Sequence, residues 1–437
     1  MMSAAQSQEI LRTNLEALEC HFTWELDNSR SKLLLLKDKL EDIGTEEGYL
    51  WLGHIYNLLA YTHYQLGSQE DAFKYFSKAA EAFCQIRNTV SDDGPWLMVN
   101  YGNLAWLYHK LGEEEKSKDY VAKVEALLKQ HPSLSPGEHH PEVYAEKAWT
   151  LMNFSQHRKM QAVEYFEKAI RMDPDRVEWQ TSHVLNLENA LECRTSKQEA
   201  EILKKLKIAR EHDPDNLYLA AIYLGTLAKT GRNIEYEARE LAEQVLRKPV
   251  SIYSGIRPLL RLYRMYLSLD EAIGLADEAL DRHPNERLLK YCLATCYKWK
   301  IFSDGDQLLR PCLLDRAISL QHEVISLYPF SSLQTKIALA NLHVKSSHPD
   351  KASHIYKSLL ESNLEPAEQQ ILYNNYAKYL HFNLHEYDSS IDYHMKAAEI
   401  PYPSRSRKNS INILRHISER RQQLRGKIEA FLVNLQE

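Results

Sequence analysis

The chain has 437 residues, of which 44% are hydrophobic and 26% charged, with only 14 glycines and 15 prolines. So much apolar material supports a large buried core, and so few turn-formers exclude an all-β fold. A net charge of −6 excludes a protein that coats nucleic acid over its whole surface, so any anion site must be a local concentration of Lys and Arg.

Residues 1–48 predict an N-terminal helical cap: an amphipathic helix carrying Ile10, Leu11, Leu15, Leu18 and Phe22, then a charged connection. No apolar signal core opens the chain, and the run Leu33 to Leu36 falls far short of the ~20 residues a membrane span needs. A cytoplasmic protein with no membrane contact is the expectation. The six cysteines (Cys20, Cys84, Cys193, Cys292, Cys296 and Cys312) lie scattered, with no disulfide framework in their spacing, as suits a reducing compartment.

From residue 49 a repeat sets in. A unit of about 34 residues folds as two antiparallel helices, with small residues where the helices touch and large apolar ones filling the space around them. The first unit reads Tyr56, Leu59, Ala60, Ala72, Phe76 and Ala79; the second Tyr101, Leu104, Ala105 and Tyr108, closed by Gly112. The third is anchored by Ala162, Phe166, Ala169 and Pro174, and the fourth by Ala190, Ile202, Ala209 and Pro214. Gly225, Ala238, Ala242 and Val245 mark a fifth, and Leu260, Tyr263, Ala272, Ala276, Ala279 and Pro284 a sixth. The seventh starts at Leu293, Ala294 and Tyr297, then carries an insertion near 298–314 before Ala317 and Pro329. Leu339, Ala340, Ala352, Tyr356 and Leu359 give the eighth, and Tyr373, Ala377 and Ala397 a looser ninth. The pattern predicts an all-α tetratricopeptide-repeat superhelical solenoid of about nine helix-turn-helix repeats with capping helices at both ends. Its blocks are 49–141, which ends in a Pro/Gly/Ser/His loop, then 142–250 and 251–404, followed by a basic C-terminal helix at 405–437.

Particular runs carry a narrower likeness. LECHFTW at 18–24, YNLLAY at 56–61, YGNLAWLYHKLG at 101–112 and FEKAIRMDPD at 166–175 resemble the interferon-induced proteins with tetratricopeptide repeats, the IFIT family. The resemblance implies a cytoplasmic antiviral effector of innate immunity. Several members hold the 5′ end of foreign RNA, triphosphorylated or capped, in a basic tunnel, while others act through association with fellow members.

Helix phase then locates candidate chemistry. The groove-facing positions of the sixth unit are Arg257, Arg261 and Arg264, at i, i+4 and i+7, and those of the seventh include Tyr291 and Lys298 with Trp299 beside it. Guanidinium groups bind phosphate through paired N–H donors and aromatic faces stack on unpaired bases, so this set suits single-stranded RNA. The resemblance implies a tunnel arginine at Arg257 and a cap-stacking tryptophan at Trp149. It also implies departures: Asn153 and Asn189 stand where RNA-binding members keep a lysine and an arginine, Tyr291-Cys292 replaces a His-Gln pair, and Lys39 stands in place of a threonine. Losing two cations predicts weakened or redirected 5′-phosphate binding. The competing reading is a protein scaffold that assembles with itself or with family members through the basic tail or the insertion.

No metal, cofactor or enzyme reading survives. Cys292 and Cys296 share a helix face, but no second ligand pair follows, and His139-His140 sits in a loop without a closing ligand set. The P-loop, Gly-x-Ser-x-Gly and zincin motifs are all missing.

Overall fold

The computed structural model describes residues 4–43, 50–86, 93–133, 137–191, 195–303, 311–330, 332–402, 404–420 and 422–435, among which no strand occurs. Helix α1 (Ala4–Glu16) buries Leu11 and Leu15 against Ala105 and Val121. Ile10, expected on that face, is exposed, because a neighbour in sequence lies ~100° round the helix from Leu11. Leu18 and Phe22 fall in the turn beyond α1, where the Phe22 ring stacks on Trp106 at 6.3 Å and meets Tyr61 edge-on at 5.2 Å. Helix α2 (Arg30–Glu41) buries Leu33, Leu36 and Leu40.

The repeats then follow as helix pairs: α3 (Leu52–Gln65) with α4 (Gln69–Ile86), α5 (Met98–Lys110) with α6 (Glu114–Gln130), and α7 (Pro141–Leu151) with α8 (Gln156–Met172). Next come α9 (Val177–Ala190) with α10 (Ser196–His212), α11 (Leu217–Lys229) with α12 (Glu235–Leu246), and α13 (Ile256–Tyr266) followed by α14 (Leu269–Arg282). Helices α15 (Arg287–Ser303) and α16 (Pro311–Leu327), α17 (Leu333–Lys345) and α18 (Pro349–Leu360), and α19 (Pro366–Tyr379) and α20 (Tyr387–Glu399) complete the series. The chain divides into two compact units, Met1–Leu275 and Ala276–Glu437.

The small residues do what their spacing predicts. Ala60, Ala72 and Ala79 are fully buried around an equally buried Phe76, and Ala162 and Ala169 flank Phe166 in the same way. Close axes let each phenyl ring fill the space between helices, which stabilises by roughly 1.5–3 kcal/mol per ring. In the second pair Ser117 takes the small position, and its hydroxyl donates to the Ala105 carbonyl at 2.9 Å, so the substitution leaves no buried donor unmet.

The Cys-His-Phe-Thr-Trp run fastens the N-terminal segment to the repeats. The His21 backbone N–H donates to Asn103 Oδ1 at 3.0 Å, while its ring nitrogens meet Asn103 Nδ2 at 3.0 Å and Thr150 Oγ1 at 3.1 Å. Burial holds the imidazole down to about 3, so it bridges the second and third pairs as a neutral ring. Trp24 Nε1 and Lys147 Nζ both donate to Glu19, at 2.6 and 2.8 Å. His139 reaches Glu19 at 3.4 Å, and His140 caps α7 by accepting from the Glu142 N–H, so both loop histidines are engaged by the fold.

At the C-terminus, α21 (Arg405–Arg420) and α22 (Gln422–Asn434) pack on α20 through Leu414 and Ile428, which cluster with Ile391 and Ala398. Of the tail's cations, Arg407 donates to the Ala398 carbonyl at 2.8 Å and Lys427 pairs with Asp392 at 2.9 Å. Residues 304–310 of the insertion and Cys193 lie outside the described residues. No described helix is long and apolar enough to cross a membrane.

Candidate nucleic-acid interface

Two elements of the first unit meet at the site. The backbone N–H of Ile252, in the turn before α13, donates to the carbonyl of Asp42 at the end of α2, at 2.9 Å. Gly255 completes that turn with φ +91, where a Cβ would lie 2.9 Å from the Leu217 carbonyl oxygen. Only glycine fits both constraints. Helix α13 therefore starts pressed against α11, with α2 across its entrance.

This junction gathers cations. Lys39 of α2 donates from Nζ to Asn153 Oδ1 at 2.7 Å, and Asn153 Nδ2 donates in turn to the Trp149 carbonyl at 2.7 Å. A charge missing from position 153 is thus supplied beside it by another helix. The Lys39 ammonium is pushed down to about 8, chiefly by burial and then by repulsion from Lys159 and Arg257. Such repulsion requires the three cations to share one neighbourhood. Arg257 and Arg261, both exposed, also act on Tyr218, whose phenol is raised mainly by burial and secondarily by Glu188. Glu188 is the carboxylate of this neighbourhood and pairs with Lys229 at 3.4 Å. Arg264, further along α13, is half-buried. Asn189 Nδ2 donates to the Leu185 carbonyl at 2.9 Å.

Beside the cations lies a cavity of about 470 Å³, within the 300–1,000 Å³ typical of small-ligand pockets. Trp149, Trp51, Tyr218 and Tyr253 supply its aromatic wall, Glu178, Asp213 and Asp215 its carboxylates, and Lys248 a cation. Trp149 is only 1% exposed and lies nearly parallel to Trp51 at 5.9 Å. Tyr253 meets Tyr218 edge-on at 5.4 Å. Asp213 is fixed by Asn216 Nδ2 at 2.9 Å and by the Thr181 hydroxyl at 3.2 Å. Behind the indoles, the buried Glu146 carboxyl accepts from Asn57 Nδ2 at 2.8 Å and is raised to about 8, principally by burial. Burial therefore favours its neutral form near pH 7.

Tyr291, Lys298 and Trp299 belong to the second unit. Tyr291 is half-buried with its ring edge-on to Tyr328 at 6.1 Å, and Trp299 is exposed. Lys298 lines a separate cavity between α15, α17, α19 and α21. The structure therefore brings together Lys39, Arg257, Arg261 and the Trp149 wall. Lys159, Tyr218 and Tyr253 join them without having been singled out by the repeat pattern. Lys159 sits on the second helix of its pair, outside the groove positions, and Tyr253 in a turn that the repeat does not describe. Cys292 and Cys296 are buried packing residues, and no group of three potential metal ligands occurs among the described residues.

The tetratricopeptide repeat family model matches residues 53–82, 100–127 and 141–176. Interferon-induced protein with tetratricopeptide repeats 2 of Homo sapiens is 26% identical, covering 94% of this chain and 88% of its own length. The antiviral innate immune response effector IFIT1 of Homo sapiens is 25% identical over 95% of this chain and 89% of that one. Among solved structures, the human IFIT1 dimer with m7Gppp-AAAA superposes with a TM-score of 0.70 at 25% identity, covering 95% of this chain and 92% of that chain. A monomeric IFIT1 mutant with Gppp-AAAA gives 0.71 at 25% identity, covering 96% and 92%. This chain carries tetratricopeptide repeats and is similar, along nearly its whole length, to the interferon-induced proteins with tetratricopeptide repeats.

Proposed function

We propose that the first unit captures the 5′ end of single-stranded RNA, as an interferon-induced antiviral effector acting in the cytoplasm by sequestration and without catalysis. The observation that carries this reading is the hydrogen-bonded link from Lys39 through Asn153 to the carbonyl of Trp149 on the cavity wall. A terminal base enters the cavity and its phosphates reach the cations. Indole and phenol faces stack on a base, and Glu178, Asp213 and Asp215 favour one that carries positive charge, as methylation of a guanine provides. Human IFIT1 was solved with m7Gppp-AAAA, whose cap guanine is methylated, and an IFIT1 mutant with Gppp-AAAA, whose cap guanine is not.

The test is binding of capped, 5′-triphosphate and 5′-hydroxyl RNA at two salt concentrations, for the parent chain and Arg257→Glu. Capped RNA should bind tightest, with a salt slope of about −2 for three phosphate contacts, and Arg257→Glu should weaken it by roughly tenfold or more. Equal, weak binding of all three RNAs, untouched by the substitution, would remove the proposal.

A second reading, assembly with copies of itself or with related chains, is favoured by the apolar Val433 exposed on α22 and by the dimeric state of one solved relative.

A further inference from the structure

Behind the indoles of the first-unit cavity runs a chain of buried polar side chains that the 5′-end reading leaves unused. It starts on α5, where Asn100 Nδ2 donates to the Phe76 carbonyl at 3.0 Å and to Asn57 Oδ1 of α3 at 2.7 Å. Asn57 Nδ2 in turn donates to Glu146 Oε1 of α7 at 2.8 Å. With Oε1 accepting, the neutral carboxyl that burial favours carries its proton on Oε2, which faces His54 Nε2 of α3 at 4.0 Å. That distance is about 1 Å beyond a hydrogen bond, a gap that a small turn of either side chain closes. All four side chains are at most 5% exposed, and Glu142, one turn before Glu146, is taken up by Arg176 at 3.4 Å.

His54 ends this chain inside an aromatic box. Its ring meets Trp51 edge-on at 4.6 Å, Phe83 edge-on at 5.0 Å and Trp149, tilted by 52°, at 6.2 Å. Gly53 admits Phe83 to the box, because a Cβ at that position would lie 2.6 Å from the phenyl ring. The imidazole thus borders both indoles of the cavity wall, while Glu146 sits one turn before Trp149 on the same helix. Packing alone does not require these groups. A phenylalanine at 54 and a leucine at 146 would fill the space without desolvating an imidazole or a carboxyl, which is costly. A hydrogen-bonded chain does what apolar contacts do not: it fixes side-chain rotation and so selects one arrangement. Here α5, α3 and α7 are tied to a single setting of Trp51 against Trp149, whose near-parallel rings lie 5.9 Å apart.

We infer that His54 and Glu146 are positioning residues of the 5′-end site: the Glu146 carboxyl, held by Asn57, donates to His54 and sets the two indoles for the incoming base. This role presupposes the RNA capture proposed above, and it gives the base platform a support separate from the Lys39 and Arg257 cations. A ligand that places a base on the indoles depends on that support, whereas one held by its phosphates does not.

The test is fluorescence anisotropy of capped, 5′-triphosphate and 5′-hydroxyl RNA with the full chain and its variants His54→Phe, Glu146→Leu and Glu146→Gln. His54→Phe keeps a ring in the box but no nitrogen, and Glu146→Leu keeps the volume but not the link. Each should weaken capped RNA by about tenfold, within the range that base–aromatic stacking contributes, and leave 5′-triphosphate RNA within about twofold of the parent. Glu146→Gln accepts from Asn57 through its oxygen and donates to His54 through its nitrogen, so it should hold capped RNA within about twofold of the parent. A residue that merely fills space would not show that rescue. Circular dichroism melts verify folding, and Asn57→Ala, which frees the carboxyl, replaces any variant that fails to fold. A parent chain that binds capped RNA no more tightly than 5′-hydroxyl RNA would remove the RNA reading itself. A parent that discriminates, with His54→Phe matching it or losing both 5′ ends alike, or with Glu146→Gln no better than Glu146→Leu, would overturn the positioning role.

Discussion

At the proposed site, Lys39 is the side chain whose use in binding would come at the expense of folding. Its ammonium titrates near pH 8 in the folded chain, against 10.5 for an ordinary lysine. Between those values the unfolded chain holds a proton that the folded chain has released, so this residue's contribution to stability rises with pH. Phosphate binding runs the other way, since only the charged form attracts an anion and a bound phosphate restores the proton. RNA affinity should therefore fall as pH rises through about 8, and Lys39→Met should flatten that dependence while weakening binding at pH 7 by roughly tenfold. Anisotropy titrations from pH 6.5 to 9 check this; a parent chain whose affinity is level across that window removes Lys39 from the site. Residues of this kind are the hardest to read in advance. The phase of α13 placed Arg257 and Arg261 on one face from spacing alone. By contrast, the approach of Lys39 to Asn153 spans 114 positions and follows no repeat.

The helices themselves were legible, because alanines at close-packing positions and a phenylalanine or tyrosine between them determine both pairing and register. What the pattern left out is the non-repeating connection, and there the site is made. Helix α2 belongs to no repeat, yet its C-terminal carbonyl accepts from Ile252, and the turn that follows depends on Gly255. Gly255→Ala adds a methyl group against the Leu217 backbone at a φ of +91. Strain and overlap together should cost about 1–3 kcal/mol. Because the relief available is a shift of α13 away from α11, Arg257 moves with it. Urea unfolding should show the loss in midpoint, and capped-RNA affinity should drop several-fold. A variant with parental stability and affinity would show that the turn is not what positions Arg257. Distal substitutions on α6, such as Lys118→Ala at an exposed i,i+3 ion pair, provide the control, since such pairs contribute little.

At the scale of the whole molecule, net charge opposes the chemistry of the site. A chain of −6 repels RNA at long range, so the proposed binding rests on short-range contacts in the first unit and should lack the steep low-salt steering of basic RNA-coating proteins. The tail also presents less free charge than its composition suggests, since Arg407 satisfies the end of α20, Lys427 pairs with Asp392 and Arg425 with Glu429 at 2.8 Å. Among these exposed polar residues α22 also leaves one large apolar side chain uncovered: Val433 is 83% exposed, next to the partly buried Phe431 and Leu432 of the last core cluster. If copies of this chain associate, this edge is one place where apolar area can be withdrawn from water without dismantling the repeats. Light scattering at micromolar concentration should then give twice the 50.9 kDa chain mass, and Val433→Glu should return the single-chain value. Capped-RNA affinity should be the same for both, because the substitution lies in the second unit and the cavity in the first. A parent chain that scatters as 50.9 kDa at every concentration would end the assembly reading and leave RNA capture to a monomer.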